Sequence, residues 1–215
     1  MENTATAPSS TLQHQWTFYL HYPTYSLDAH NYSDQAYTQL GDFSSVQELW
    51  HLLECLPKPS DVFSQRNTAQ RIVRSKMNGR NLEAFGLFKT GVRPEWEFPL
   101  NMKGGHLEFR DDIPLDVVDR IWYETLLSIV GEVLEGGRDI MGARIVDKSK
   151  AKHTQYRLEL WIGTTDENVR EEISRNLIAI LSPYAEIGEL EWKVHGESIS
   201  NMMHCNADHL GLNTK

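Results

Sequence analysis

The segment from Asp112 to about Leu134 holds the longest helical pattern in the chain, and that pattern is apolar on two sides. Asp112 and Pro114 supply a start signal, and Gly136-Gly137 an end. Val118, Ile121, Trp122, Ile129 and Val133 recur at helical intervals and form one stripe fit for a sheet. Tyr123, Leu127 and Leu134 form a second stripe about 100° round the axis, with Gly131 as a flat spot. Such a helix needs cover on two sides. The fold therefore has to set a layer beneath it and something beside it.

The layer beneath can be read from short runs rich in aromatic and β-branched residues. His14–Leu20, Ala36–Phe43, Leu82–Lys89, His106–Arg110, Gly142–Asp147, Tyr156–Ile162 and Leu190–His195 read as strands. Two further helices are expected. Ser45 and Glu48 have capping-box spacing ahead of Val46, Leu49, Trp50 and Leu53, and Pro57 stops that helix. The other runs from about Asp166 through Val169, Ile173, Leu177 and Leu181 to Pro183. Strands joined by short turns with three helices interspersed predict an α+β domain, a mainly antiparallel sheet with helices on one face. The domain is expected over residues 12–197, with a disordered tail at 1–11 and a C-terminal loop or tail at 198–215. Residues 57–81 carry Lys58, Arg66, Arg71, Arg74, Lys76 and Arg80 against one acid, Asp61, with little apolar period, and read as a partly mobile basic insertion.

Charge and cysteine use narrow the function classes. With 21 basic and 30 acidic residues the net charge is −9, which disfavours general affinity for a polyanion but leaves room for a local basic groove. Cys55 and Cys205 give no disulfide framework and suit a reducing compartment. No apolar run approaches the ~20 residues of a membrane span, and residues 1–11 lack the apolar centre of a secretory signal. A cytoplasmic location is expected, with a nuclear one also compatible. No nucleophile elbow, phosphate-cradling glycine loop or paired-histidine zinc motif is present, so catalysis has no support. His195, His204, Cys205 and His209 are not spaced as a tight metal site.

The chemistry gathers in Gly91-Val92-Arg93-Pro94-Glu95-Trp96-Glu97, where an indole and a carboxylate adjoin in a loop stiffened by proline. Together they suit a flat, cationic, hydrogen-bond-donating ring such as 7-methylguanine. The aromatic face attracts the cation by stacking and through its quadrupole. The carboxylate accepts two N–H groups as a bidentate, charge-assisted pair. Such a nucleotide also needs Lys or Arg for its phosphates. Lys103, Lys148, Lys150, Lys152 and Arg157 are candidates, the last four in or beside a loop without an acid.

The run FGLFKTGVRPEWE (Phe85 to Glu97) resembles the hallmark of the eukaryotic translation initiation factor 4E family of cap-binding proteins. LQHQW, VQELW, KGGHL, IWYETLLSIVGE and LELW follow in that family's order. The resemblance implies a curved eight-stranded sheet with three helices on its convex back and the mRNA 5′ cap in its concave mouth. It makes Trp96 one stacking residue, Glu97 the guanine acceptor and Trp161 the residue against the N7-methyl group. The second stacker should lie in the first inter-strand loop. No tryptophan stands there, so Tyr32 takes the role by its offset from Phe43, with Tyr25 and Tyr37 as alternatives. Lys103, His106 (where an arginine is expected), Lys148, Lys150 and Arg157 match the phosphate side. Val46, Trp50, Tyr123, Leu127 and Gly131 match a dorsal groove that accepts a 4G-like scaffold or a 4E-binding repressor helix. A chain with a weakened pocket could instead work as an adaptor through that groove alone. No cofactor is expected.

Overall fold

A computed structural model describes residues 11–23, 36–67, 72–77, 79–134 and 137–196. Its main sheet is built from β1 (Thr11–His21), β2 (Tyr37–Ser45), β7 (Ala84–Lys89), β8 (Gly105–Asp111), β9 (Ile140–Asp147), β10 (Tyr156–Ile162) and β11 (Glu191–Val194). Between β2 and β7 stand four two-residue strands, β3 (Gln65–Arg66), β4 (Ile72–Val73), β5 (Lys76–Met77) and β6 (Arg80–Asn81). The main sheet runs β11-β8-β10-β9-β7-β1-β2, with every neighbouring pair antiparallel. Among the described residues it therefore has seven strands rather than the eight the resemblance implies. All seven are those read from the aromatic and β-branched runs.

The helices are α1 (Val46–Cys55), α2 (Pro59–Val62), α3 (Pro99–Met102), α4 (Leu115–Val130) and α5 (Glu167–Leu181). The α1 start is the predicted capping box. Ser45 Oγ accepts from the Glu48 amide at 3.3 Å, and Glu48 Oε2 accepts from the Ser45 amide at 3.1 Å. Asp166 caps α5 by accepting from the amides of Asn168 and Val169. Trp16, Phe18, Leu20, Phe85, Leu87, Leu107, Ile145, Leu158 and Leu160 line one face of the sheet and form a single core with Leu49, Trp122, Leu126, Ile173 and Leu177 of the helices. Strand alternation then sends the intervening residues to the opposite face, away from α1, α4 and α5.

The long helix ends earlier than its apolar pattern suggests. It stops at Val130, and Gly131 takes the C-cap, its amide bonded to the carbonyl of Leu127. Glu132 then turns in the left-handed region, φ 55°. The turn exchanges the fates of the next two residues. Val133, expected under the helix, is 62% exposed, while Leu134, expected on the outer stripe, is 2% exposed.

The described part of residues 57–81 is not a solvated appendage, because it inserts side chains into the core. Val62 and Phe63 are buried, and Phe63 lies parallel to Tyr156 with ring centroids 6.2 Å apart. Ser60 donates from both its amide and its hydroxyl to Asp119 of α4, at 2.9 and 2.6 Å. The Ser64 amide and the Arg74 guanidinium both donate to the buried carboxylate of Asp147, and the Tyr156 hydroxyl donates to the Ser64 carbonyl. Phe63→Ala is expected to cost about 3–5 kcal/mol of stability, read as a lower urea midpoint. A change below about 0.5 kcal/mol would mean that the segment is a loose appendage after all.

Candidate functional site

The face turned away from α1, α4 and α5 carries the chemistry, and strand register places it there. On β10 the residues that alternate with the core are Arg157, Glu159 and Trp161; on β8 they are His106, Glu108 and Arg110. Trp161 pairs across the ladder with His106 and Gly142, Glu159 with Glu108 and Arg144, and Arg157 with Arg110 and Val146. Lys193 of β11 pairs with His106. Beyond these, Tyr19, Phe88, Val92 and Trp161 form a second apolar cluster, with Tyr37, Trp96, Phe98 and Met141 packed against it.

Two buried carboxylates organise the face. Glu159, fully buried, accepts from Arg144 at 2.7 Å and from the Trp161 indole N–H at 2.9 Å through one oxygen. Its other oxygen stands 2.5 Å from the Arg157 guanidinium as an ion pair. Glu108 faces Arg110 at 2.8 Å, Lys193 at 2.9 Å, Arg157 at 3.5 Å and His106 at 3.4 Å. Burial alone would raise both carboxyls. The surrounding cations reverse this and hold Glu108 at about 2 and Glu159 lower still. His106, Glu108 and Glu159 bring three metal-type donors within 4.8 Å of one another. With four cationic side chains already against the two carboxylates, the trio reads as an ion-pair network.

The Gly91–Glu97 loop folds against this face. Gly91 turns it in the left-handed region, φ 87°. Asn101, buried on α3, holds it from inside: its amide nitrogen donates to the carbonyls of Arg93 and Glu95 at 2.7 and 2.8 Å. From the other side the Tyr37 hydroxyl donates to Glu95 at 2.7 Å. Burial first, and then that carboxylate, raise the Tyr37 phenol well above its ordinary range. Gly104 and Gly105 allow β8 to start in a crowded place. A Cβ at Gly104 would stand 1.9 Å from the Ile162 carbonyl oxygen, and one at Gly105 2.1 Å from that of Lys193.

His195 seals the arrangement. Its ring lies 4.4 Å from Trp161 and 6.2 Å from Trp96, at 19° to the latter. It sits 2.9 Å from both the Asn101 carbonyl and His106 Nδ1.

Residues 11–209 match the family model described as Eukaryotic initiation factor 4E. The chain belongs to the eukaryotic initiation factor 4E family. Curated relatives include translation initiation factor 4E-2 of Schizosaccharomyces pombe, 26% identical over 91% of this chain and 71% of the relative. Factor 4E-4 of Caenorhabditis elegans is 27% identical over 87% of this chain and 78% of the relative. The fold matches C. elegans eIF4E-3 solved with the 4E-binding protein Mextli and a cap analog: TM-score 0.68, 23% identity, 89% of this chain and 96% of that one. It also matches Ascaris suum eIF4E-3 solved with an m2,2,7G cap: TM-score 0.65, 24% identity, 87% and 92% covered.

Against the 4E-family pattern, the predicted residues fall into three groups. Trp96 is half-buried beside Trp161, and Glu97 is exposed with no ion pair among the described residues. Trp161 itself is 1% exposed and lies behind His195, so it presents no open face to a methyl group in this state. Tyr25 and Tyr32 lie outside the described residues, while Tyr37 packs its edge on Tyr19 and is tied to Glu95. On the phosphate side, Lys103 and Lys150 are exposed and carry no ion pair among the described residues. Arg157 is instead engaged by Glu108 and Glu159, Lys148 by Glu83 at 2.7 Å, and His106 is buried. Alternation turns Arg157 and His106 toward the carboxylates of β8 and β10. On the helix side of this 4E-family chain, Val46 and Trp50 are 40% and 48% exposed, Tyr123 and Leu127 are half-buried, and Gly131 is exposed.

The sequence reading did not assign roles to Asn101, Glu95, Glu108, Arg144, Glu159 or His195. A signal existed for some of them, since Arg-x-Glu-x-Trp and His-x-Glu-x-Arg put like-facing charges on two neighbouring strands. Nothing local marks Asn101 or His195.

The network fixes a pH response. Glu108 and Glu159 are depressed when folded, so their contribution is full above about 4.5 and fades as pH falls toward 2. Burial also lowers His195 to about 4 and His21 to about 3, so the unfolded chain takes up their protons first, from about pH 6.5 downward. All four effects act in one direction. Urea midpoints should fall steadily from about pH 6.5 to pH 3. Glu159→Gln should cost about 3–5 kcal/mol at pH 7, because it leaves two buried guanidinium groups under-paired. Wild-type stability in that variant would refute the network's importance.

Proposed function

We propose that this chain binds the 7-methylguanosine 5′ cap of mRNA and acts in translation initiation or its regulation. The observation that carries the reading is the Trp96–Glu97 pair. It lies on a loop pinned by Asn101 and Tyr37, with the indole in an aromatic cluster and the carboxylate without an ion pair among the described residues. An unpaired acid beside an aromatic face suits a cationic ring that donates two N–H groups. Tyr32 supplies the opposing face, with Tyr25 or Tyr37 as the alternatives, and Trp161 meets the methyl group once His195 moves aside. Lys103 and Lys150 reach the phosphates, joined by Lys148, Arg157 and His106 as their protein partners yield. The solved neighbours crystallised with a cap analog or an m2,2,7G cap lend support.

In the same reading, Val46, Trp50, Tyr123, Leu127 and Gly131 receive the helix of a 4G-like scaffold or a 4E-binding repressor. A tryptophan 48% exposed on a short helix has no packing reason to be there. That exposure, with Trp161 covered, also favours a second reading in which the chain is an adaptor that hardly binds caps. The setting is cytoplasmic, with a nuclear pool compatible.

The protein should be retained on 7-methyl-GTP resin and released by 7-methyl-GTP but not by GTP. Glu97→Ala should weaken binding by at least about 100-fold, from two charge-assisted bonds of ~1.5–3 kcal/mol each, and Trp96→Ala should remove most of the fluorescence quenching. Equal release by GTP would defeat methyl recognition. Scaffold capture lost with Trp50→Ala but unchanged by Trp96→Ala, in a chain that does not bind the resin, would establish the adaptor reading.

A further inference from the structure

Among the described residues, His195 alone sets an aromatic ring against both Trp96 and Trp161. The ring is fully buried, and no other ring comes as near to Trp161 as its 4.4 Å. Its contacts are of the kind a bound base makes. One aromatic neighbour stands on the Gly91–Glu97 loop and a second on β10, and both ring nitrogens have partners. Nδ1 donates to the Asn101 carbonyl at 2.9 Å, since a carbonyl can only accept. Nε2 stands 2.9 Å from His106 Nδ1.

The backbone does not need the ring where it is. β11 ends at Val194, which pairs with Gly105, and the His195 amide then donates to the Gly104 carbonyl at 3.1 Å. That bond belongs to the main chain and survives a turn of the side chain. The loop is also held independently. Asn101 grips Arg93 and Glu95 through its side-chain amide, and His195 through its backbone carbonyl, so the second contact can break while the first stays. Turning the His195 ring out therefore uncovers Trp161 and a flank of Trp96 without dismantling a strand or the loop.

We propose, on the cap-binding reading, that His195 is an internal competitor of the ligand. In the free protein it takes the place of the ligand's ring against Trp96 and Trp161, and the ligand binds only by displacing it. Two hydrogen bonds and two aromatic contacts favour the covered form, so the fraction of molecules with the ring turned out is small. The apparent affinity is the affinity of the open site reduced by that fraction. Because the reduction acts before any ligand arrives, it is the same for every ligand of the open site. His195 thus sets how tightly the site binds, and Glu97 sets which base it prefers. A residue that touched the bound base would instead alter the preference.

Two measurements test this. In the wild type, NMR should show a nuclear Overhauser contact between the His195 ring and the Trp161 indole that disappears at saturating 7-methyl-GTP. A contact that persists in the saturated complex overturns the proposal. In fluorescence titrations, His195→Ala should tighten 7-methyl-GTP binding roughly 10-fold or more. GTP should gain by the same factor, leaving the ratio of the two Kd values unchanged. Equal or weaker 7-methyl-GTP binding by the folded variant, or a changed ratio, overturns it; should the variant fail to fold, the wild-type contact decides. Binding by His195→Ala where the wild type shows none is the competitor at its strongest. If neither protein binds 7-methyl-GTP, the cap reading fails and the competitor falls with it. Binding with the contact retained removes the competitor alone.

Discussion

A carboxylate with no access to water stands at the centre of the sheet, and much else follows from it. Burying Glu159 as an anion is tolerable only with several donors around it. Arg144, Arg157 and the Trp161 indole provide them from β9 and β10. Because side chains alternate along a strand, fixing those three donors fixes which residues of β8, β9 and β10 turn away from the helices. Glu108 is gathered into the same network through Arg157, and His106 through Glu108. The aromatic cluster that meets the Trp96 loop is therefore positioned by charge as well as by packing. Arg144 lies over the Trp161 ring at 4.9 Å, linking the two.

The basic segment between α1 and β7 is bound to the end of the sheet that carries the Lys148–His153 loop. Asp147 is the junction, taking Arg74 and Ser64 from the insertion while it bonds the Ser149 amide at 2.9 Å. Arg66 reaches Asp112 and the Lys152 carbonyl, and Arg80 lies over the Tyr22 ring at 4.0 Å. Several cations that look free in the sequence are thus structural. Their placement turns a surface loop into part of a rigid rim.

Periodicity carried the elements well. Strands announced themselves by composition, and α1 and α5 by caps and apolar spacing. What failed to show was set by contacts distant in sequence. Val62 and Phe63 have no periodic company, so nothing marked them as core. The exit of α4 came at Gly131 rather than Gly136 because one left-handed turn suffices, and hydrophobicity beyond it misled. Of the candidate site, Trp96 and Glu97 could be singled out because the chemistry proposed for them is complete in two adjacent residues. Arg157 reads as an available cation because its carboxylates lie on the same face of its own and the neighbouring strand, where a charge is ordinarily solvated. His195 acquires its role from Asn101 and His106, each about 90 residues away, and no local pattern could disclose it.

The glycine pair at the start of β8 makes the site uneven in what it will tolerate over long spans of descent. With carbonyl oxygens 1.9 and 2.1 Å from where side-chain carbons would stand, positions 104 and 105 admit no side chain without moving β10 or β11. The next residue, His106, is buried between Glu108 and His195 and takes its place from that same start of the strand. The bare pair thus works as a fixed pin: a side chain at either position would have to be met by displacing a neighbouring strand, not by a change of rotamer.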